Sequence, residues 1–201
     1  MPDASTPSGA PQAGLRTPRL LLRPWRPDDL APFAELNADP EVTAHFPAPL
    51  DRAASDALAA RVAGLIEEQG WGLWAVEVVA TGAFVGFTGL SRPAFEASFT
   101  PAVEVGWRLA RSAWGHGYAT EAATAALDFA FDGLGLTEVV SFTAADNRRS
   151  VAVMERLGMT HDPRGTFDHP RLPADDPLRR HVLYRVTAER WRDGRRGARE
   201  G

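Results

Sequence analysis

Val103-Glu-Val-Gly-Trp-Arg-Leu-Ala-Arg-Ser-Ala-Trp-Gly-His-Gly-Tyr-Ala-Thr-Glu-Ala122 is the stretch whose reading decides the fold. An extended run comes first, then a tight loop carrying Gly115 and Gly117, then an alanine-rich helix beginning near Tyr118. A strand that turns on two glycines straight into a helix leaves the first-turn N–H groups without internal partners. It also aims the positive end of the helix dipole at whatever occupies the loop. Such a terminus holds an anion without any basic side chain. Just upstream, alternation along the strand puts Val103, Val105 and Trp107 on one face and Glu104 with Gly106 on the other. An unpaired carboxylate is costly in a dry core. Glu104 is therefore expected to face a cleft, where partial burial raises its pKa toward that of a useful base. The structural alternative is an ion pair with Arg108 or Arg92.

Two familiar nucleotide loops do not fit. A P-loop needs a Lys after its second glycine, and the chain has no lysine; the dinucleotide fingerprint needs a third glycine where Thr120 stands. Absences narrow the chemistry further. With no cysteine there is no disulfide, no thiolate metal site and no thiol nucleophile to carry an acyl group. All 22 basic residues are arginine, which excludes a Schiff-base lysine. None of the five histidines, His45, His116, His161, His169 and His181, shows metal-ligand spacing, so no metal is expected. A formal charge of −4 gives no reason to expect DNA as a partner.

The 201 residues, 44% hydrophobic and 24% charged, suit one soluble domain with tails. No apolar run approaches the roughly 20 residues needed to cross a bilayer, and the N-terminus does not read as a signal peptide. The expectation is a cytoplasmic protein with no membrane association. Residues 1–16, rich in Pro, Ser, Ala and Gly, read as a disordered tail. From about Arg190 onward, five arginines and three glycines read as a flexible, solvated tail, 191–201, with an RNA-contacting or ribosome-contacting arm as the sharper reading. The domain is placed at 17–190.

Inside it the pattern alternates. Arg19–Pro24 reads as a strand, and Asp28 and Asp29 supply capping and dipole chemistry for a helix with Leu30, Phe33, Ala34 and Leu36. A proline-bounded loop covers Asn37–Leu50. Asp51 opens a second helix with Ala54, Leu58, Val62, Leu65 and Ile66 on its apolar face. Trp71–Ala80 and Ala83–Leu90 read as strands joined at Thr81-Gly82. After the quoted segment come a strand at Thr137–Thr143, a helix at Asp146–Leu157 stopped by Gly158, and late strands over Met159–Asp168 and Pro177–Val186. The order is that of one mixed α/β domain. Trp71, Trp74, Phe84, Phe87, Phe129 and Phe131 read as core.

The loop and its surroundings resemble the GNAT superfamily of acyl-CoA-dependent N-acyltransferases. The resemblance covers Thr17-Pro-Arg-Leu-Leu-Leu-Arg-Pro-Trp, Phe84-Val-Gly-Phe-Thr-Gly-Leu, Glu104-Val-Gly-Trp, Asp146-Asn-Arg-Arg-Ser-Val and Glu155-Arg-Leu-Gly-Met, in order along nearly the whole domain. It looks most like the branch of ribosomal-protein N-terminal acetyltransferases. The fold it implies is a single GNAT-like domain: a mixed central sheet with splayed strands, flanked by helices. Acetyl-CoA is the implied donor. Its pyrophosphate would sit on the loop and first turn, Trp114, Gly115, His116, Gly117, Tyr118, Ala119 and Thr120, with Trp114 replacing the family's usual Gln or Arg. Backbone groups of Trp107 and Leu109 would pair with the pantetheine arm, and Asn147 would hydrogen-bond it from the next helix. Asn147 and Ser150 are also sound helix-capping chemistry.

Many family members carry a tyrosine acid four residues after the serine; here Met154 stands there, which makes Ser150 or a water the implied acid toward the departing thiolate. Glu104 would take the proton of the incoming amine, or position that amine electrostatically. The acceptor implied by the branch is a protein or peptide N-terminal α-amine. A small-molecule amine (amino acid, polyamine or aminoglycoside) is the alternative, and a non-catalytic acyl-CoA-binding module is another. His45 and His169 sit in loops that reach the acceptor side in the family. The expected assembly is a monomer or homodimer.

Overall fold

The computed structural model describes residues 14–200. Eight strands form one sheet in the order β1-β2-β3-β4-β5-β6-β8-β7. They are β1 Leu15–Arg16, β2 Leu20–Arg23, β3 Leu73–Val78, β4 Ala83–Ser91, β5 Glu104–Leu109, β6 Glu138–Ala144, β7 Thr160–Asp168 and β8 Arg180–Thr187. Neighbours are antiparallel except β5 and β6, which are parallel. Five helices flank the sheet: α1 Leu30–Ala38, α2 Arg52–Gln69, α3 Tyr118–Asp128, α4 Arg148–Arg156 and α5 Ala188–Glu200. This is the mixed, helix-flanked α/β domain expected from the sequence, with the Thr81-Gly82 hairpin closing β3 on β4 through Val78↔Ala83.

The sheet carries a core on each face. Val105 and Leu109 join Leu20, Leu22, Trp74, Val76 and Val139 beneath the alanine face of α3 (Ala122, Ala123, Ala126) and Met154 of α4. The opposite face meets α1 and α2 through Phe33, Leu36, Ala59 and Phe87, with Trp25 edge-on to Phe33 at 4.8 Å. Small alanines let α3 lie close on the sheet, and that closeness fixes where its N-terminus ends up.

Four local readings change. Asp29 does not act as a simple helix cap. Pro27–Asp29 forms a 3-10 turn, and the Asp29 carboxylate takes both guanidinium nitrogens of buried Arg23 at 2.7 and 2.8 Å together with the Arg26 N–H. Arg23 also meets Glu77 at 2.7 Å, tying α1 to the sheet. The buried stripe of α2 is Ser55, Ala59, Val62 and Ile66, while Ala54 and Leu65 face outward. Hydropathy overlooks Ser55 because its burial depends on the hydrogen bond it accepts from Asn37 Nδ2, 2.9 Å.

At the N-terminus, Leu15–Arg16 already pairs with β2, so the sheet starts two residues before the expected boundary; the remainder of the N-terminal tail, 1–13, lies outside the described residues. At the C-terminus, the arginine-rich segment expected as a flexible tail is helix α5. Trp191 is buried there and donates from Nε1 to Asp128 at 2.8 Å, and Arg195 pairs with the same carboxylate at 2.9 Å. One tryptophan with a satisfied N–H outweighs the polar composition around it. No helix among the described residues is long and apolar enough to cross a membrane.

Removing one member of a buried ion pair leaves the other uncompensated. Asp29→Ala should therefore lower unfolding stability by about 3 kcal/mol, read from chemical denaturation, with Glu77 retaining part of the pairing to Arg23. An effect within experimental error would refute a structural role for this cluster.

Candidate active site

β5 and β6 share a single register position, Glu104↔Val140, where Val140 N–H donates to the Val103 carbonyl at 2.9 Å. Past it the strands part, because β5 stays paired with β4 as far as Leu109↔Gly86 while β6 follows β8 along its whole length. Since the Val103 carbonyl points toward β6, alternation directs the backbone groups of Val105, Trp107 and Leu109 into the opening. A strand edge with free donors and acceptors is a template for an extended, amide-bearing chain. Trp107 and Leu109 are thus placed as expected, although the Leu109 carbonyl is already occupied by the Trp114 indole N–H at 3.0 Å.

At the wide end of the opening stands the glycine loop. Gly115 and Gly117 hold φ of 79° and 78°, in the left-handed region that disfavours a side chain. Gly117 caps α3 without contributing a side-chain oxygen, and Glu121 N–H turns back to the Gly117 carbonyl. The preceding first-turn N–H groups, Tyr118 to Thr120, are left to an external acceptor. Glu121 brings a negative charge to this turn, and Arg19 offsets it through two nitrogens at 2.6 Å, with Thr17 hydrogen-bonded to the same carboxylate. Trp114, Gly115, Gly117, Tyr118, Ala119 and Thr120 all line the cavity. His116 does not; it is exposed and stacks on the Tyr118 ring at 5.2 Å. Across the opening, Arg149 of α4 lies 4.4 Å from the Trp114 ring centroid, so a cation stands beside the loop even though the loop itself has none.

The cavity runs from this loop to the far side of Glu104 and holds about 1070 Å³. Glu104 forms part of its wall and opens onto it. Neither arginine considered as its partner reaches it: Arg92 donates to Gln69 Oε1 at 2.6 Å and covers Trp71, and Arg108 donates to Asn37 Oδ1 at 2.6 Å. The only hydrogen bond Glu104 accepts among the described residues is a long one from Ser91 Oγ, 3.4 Å. Burial pushes the carboxyl up to about 8, and the Ser91 hydroxyl only partly opposes this.

From the other wall, Asn147 caps α4 by accepting the Ser150 N–H at 3.2 Å and donates its amide to Thr143 Oγ1 at 2.9 Å. Its side chain and that of Ser150 both line the cavity, so the capping role and the site-facing role coincide. Met154 is fully buried in the core, and Tyr184 is buried there away from the cavity. His45, His169 and His181 also line the cavity. His45 Nδ1 lies 3.3 Å from Asp146 without the alignment of a hydrogen bond. Desolvation holds His169 and His181 below the ordinary imidazole range, so both are neutral near pH 7. Among the lining side chains, five arginines (Arg108, Arg148, Arg149, Arg156, Arg171) face two carboxylates, Glu41 and Glu104. Arg149, Ser91 and the setting of Arg108 went unread in the sequence. Only Arg108 carried a local signal, its shared strand parity with Glu104. No group of three or more His, Asp or Glu among the described residues could hold a metal.

The sequence matches the family model of the acetyltransferase (GNAT) domain over residues 19–160. The chain belongs to the GNAT acetyltransferase family. It is 37% identical over 126 residues to the FsC-acetyl coenzyme A-N(2)-transacetylase of Aspergillus fumigatus, covering 61% of this chain and 52% of that protein. The chain spans about half the length of the curated relatives it matches. Among solved structures, an acetyltransferase from Agrobacterium tumefaciens is 32% identical with a TM-score of 0.68, covering 86% of this chain and 92% of that one. A spermidine N-acetyltransferase from Vibrio cholerae, in complex with CoA and spermine, shares the fold at 19% identity and a TM-score of 0.67, with 87% and 99% coverage.

A carboxyl raised from 4.5 to about 8 binds a proton in the fold that the unfolded chain has already lost. The stability it contributes is present below pH 4.5 and is lost as pH rises through 8. Glu104→Gln removes this dependence, so the melting temperature of the variant minus that of the parent should grow from pH 5 to about pH 8 and level off above it. A pH-independent difference would show that Glu104 is not desolvated.

Proposed function

We propose that the protein is an acetyl-CoA-dependent N-acetyltransferase that acts by direct transfer to a primary amine, with Glu104 as base and Ser150 as acid. The observation that carries this reading is Glu104 itself. It is a carboxylate without a cation, raised to about 8 by burial, at the vertex of an opening whose far end is a phosphate-binding helix terminus. Membership of the GNAT family supports the donor, and the fungal relative's name supports both donor and nitrogen acceptor.

The residues present fit the donor. Free N–H groups from Tyr118 to Thr120 would take the pyrophosphate, with Arg149 adding charge from across the cleft. The strand edge at Val105 and Trp107 would pair with the amide-bearing pantetheine arm. Bound there, acetyl-CoA supplies an activated thioester.

An ammonium cannot attack a thioester. Glu104 accepts its proton, directly or through one water, and a pKa near 8 suits that task near neutrality. The amine nitrogen then bonds to the acetyl carbon as the carbon–sulfur bond breaks. Ser150, on the first turn of α4 beside the cavity, gives its hydroxyl hydrogen to the leaving sulfur and regains one through water from the attacking nitrogen, which sheds this second proton to become a neutral amide. Polyamine and aminoglycoside acceptors fit poorly, since five arginines outnumber two carboxylates along the cavity wall. An α-amine at a peptide terminus or a small amino-bearing acid fits this balance better.

The test is release of free CoA thiol from acetyl-CoA with amine acceptors. Glu104→Gln should lower kcat/KM at pH 7.5 by about a hundredfold and abolish the rise through pH 8 expected of the parent. Ser150→Ala should lower kcat about tenfold to a hundredfold with little change in the KM for acetyl-CoA. A Glu104→Gln enzyme as fast as the parent across this pH range would rule out the base assignment.

A further inference from the structure

Arg108 is the most unusual cation in the molecule. It lies two residues past Gly106 on the same face of β5 as Glu104, and it also lines the cavity. Nη1 donates to Asn37 Oδ1 at 2.6 Å, the guanidinium carbon sits 3.8 Å from the centroid of Phe46 and 5.6 Å from that of Phe87, and Nε is buried without a partner. No carboxylate pairs with it among the described residues. Arg19, Arg111 and Arg23 do have anions, in Glu121, Glu41 and Asp29. Arg148, Arg149, Arg156 and Arg171 also line the cavity without an ion pair among the described residues, but they are exposed whereas Arg108 is half-buried. Desolvation lowers the Arg108 pKa to about 10, which still leaves it charged at neutral pH.

The group is also held in place. Asn37 is fully buried, and its own amide is fixed by Ser55, so its oxygen is committed to Arg108. Phe46 covers one face of the guanidinium. A desolvated cation, oriented by two side chains, with donors left over and an open cavity before it, is a receptor for an anion.

We propose that Arg108 binds a carboxylate of the acceptor, so that the acceptor carries its reactive amine at Glu104 and an anionic group several bonds away. This rests on Glu104 meeting the amine. Residues four apart on a strand have Cα atoms about 13 Å apart. With a hydrogen bond of about 3 Å at each end, the amine and carboxylate of the acceptor are separated by roughly 6–10 Å. Two sources share that chemistry: a free ω-amino acid, and a peptide N-terminus followed by an acidic residue. The unsubstituted α-amino acids are too short to span it.

The experiment compares acceptors matched except for the carboxylate, in the full chain with acetyl-CoA. One pair is 6-aminohexanoate and hexylamine. The other is two dipeptide amides with N-terminal alanine followed by aspartate or asparagine. At least one carboxylate-bearing partner should show kcat/KM about tenfold or more above its match, and which pair responds identifies the source. In Arg108→Gln the ratio should fall to near one, and Arg108→Lys should restore it only in part, because the planar fork is lost.

Equal kcat/KM within both pairs, or a ratio that survives Arg108→Gln, overturns the proposal. The wild-type comparison stands by itself if the variants fail to fold. Binding of the same compounds to the CoA-loaded protein by calorimetry separates the two readings. A carboxylate preference in binding without turnover supports the Arg108 site while refuting the transferase; no preference in either measurement refutes the site.

Discussion

Everything functional in this molecule depends on a hydrogen-bond mismatch inside the sheet. β5 keeps its partner on one side to its end and abandons its partner on the other after a single register position, Glu104↔Val140. An interior strand normally has both edges satisfied. Leaving one open in the middle of a sheet is costly unless something fills it, and the filling must be an extended chain with alternating donors and acceptors. The same divergence sets Glu104 at the narrow point and the glycine loop at the wide one. Glu104, the open strand edge and the helix terminus therefore share one origin, the geometry of a single strand pair.

Much of this was legible in residue order. Gly115 and Gly117 could be read because only glycine tolerates the two left-handed positions, and Glu104 because period-two alternation put it opposite Val105. Asn147 announced itself as a cap. The readings that failed depended on tertiary partners. Ser55 is a polar residue on a buried helical face because Asn37 bonds to it across the α1–α2 interface. Asp29 reads as a helix-start residue until Arg23 arrives from β2. Trp191 turns an arginine-glycine tail into a helix by finding Asp128, sixty-three residues away in sequence. In each case a polar atom locates its partner through the fold, and no local pattern encodes that.

The cavity's electrostatics divide along the same lines. Near the loop, positive character comes from backbone dipoles and from Arg149 leaning on Trp114, an arrangement that offsets the missing loop side chain. On the α1 side it comes from Arg108 alone. Between them lies Glu104, whose pKa is raised because burial desolvates the carboxyl and no cation comes close enough to oppose it. The stretch from Glu104 to Arg108 thus carries a protonatable acid and a fixed cation on one face, separated by the bare backbone of Gly106.

α3 is fastened at both ends. Its first turn is tied through Glu121 to Thr17 and Arg19, and its last residue, Asp128, is gripped by Trp191 and Arg195 of α5. Eleven residues of helix span about 16 Å, so the turn beside the glycine loop and the anchor on the C-terminal helix are the two ends of one rod. A rod fixed at both ends cannot tilt, and the entropy of aligning the loop for its ligand is spent during folding rather than at binding. The placement of the glycine loop is consequently a property of the C-terminal helix as well, and shortening the chain behind Thr187 would loosen a cavity that helix never lines.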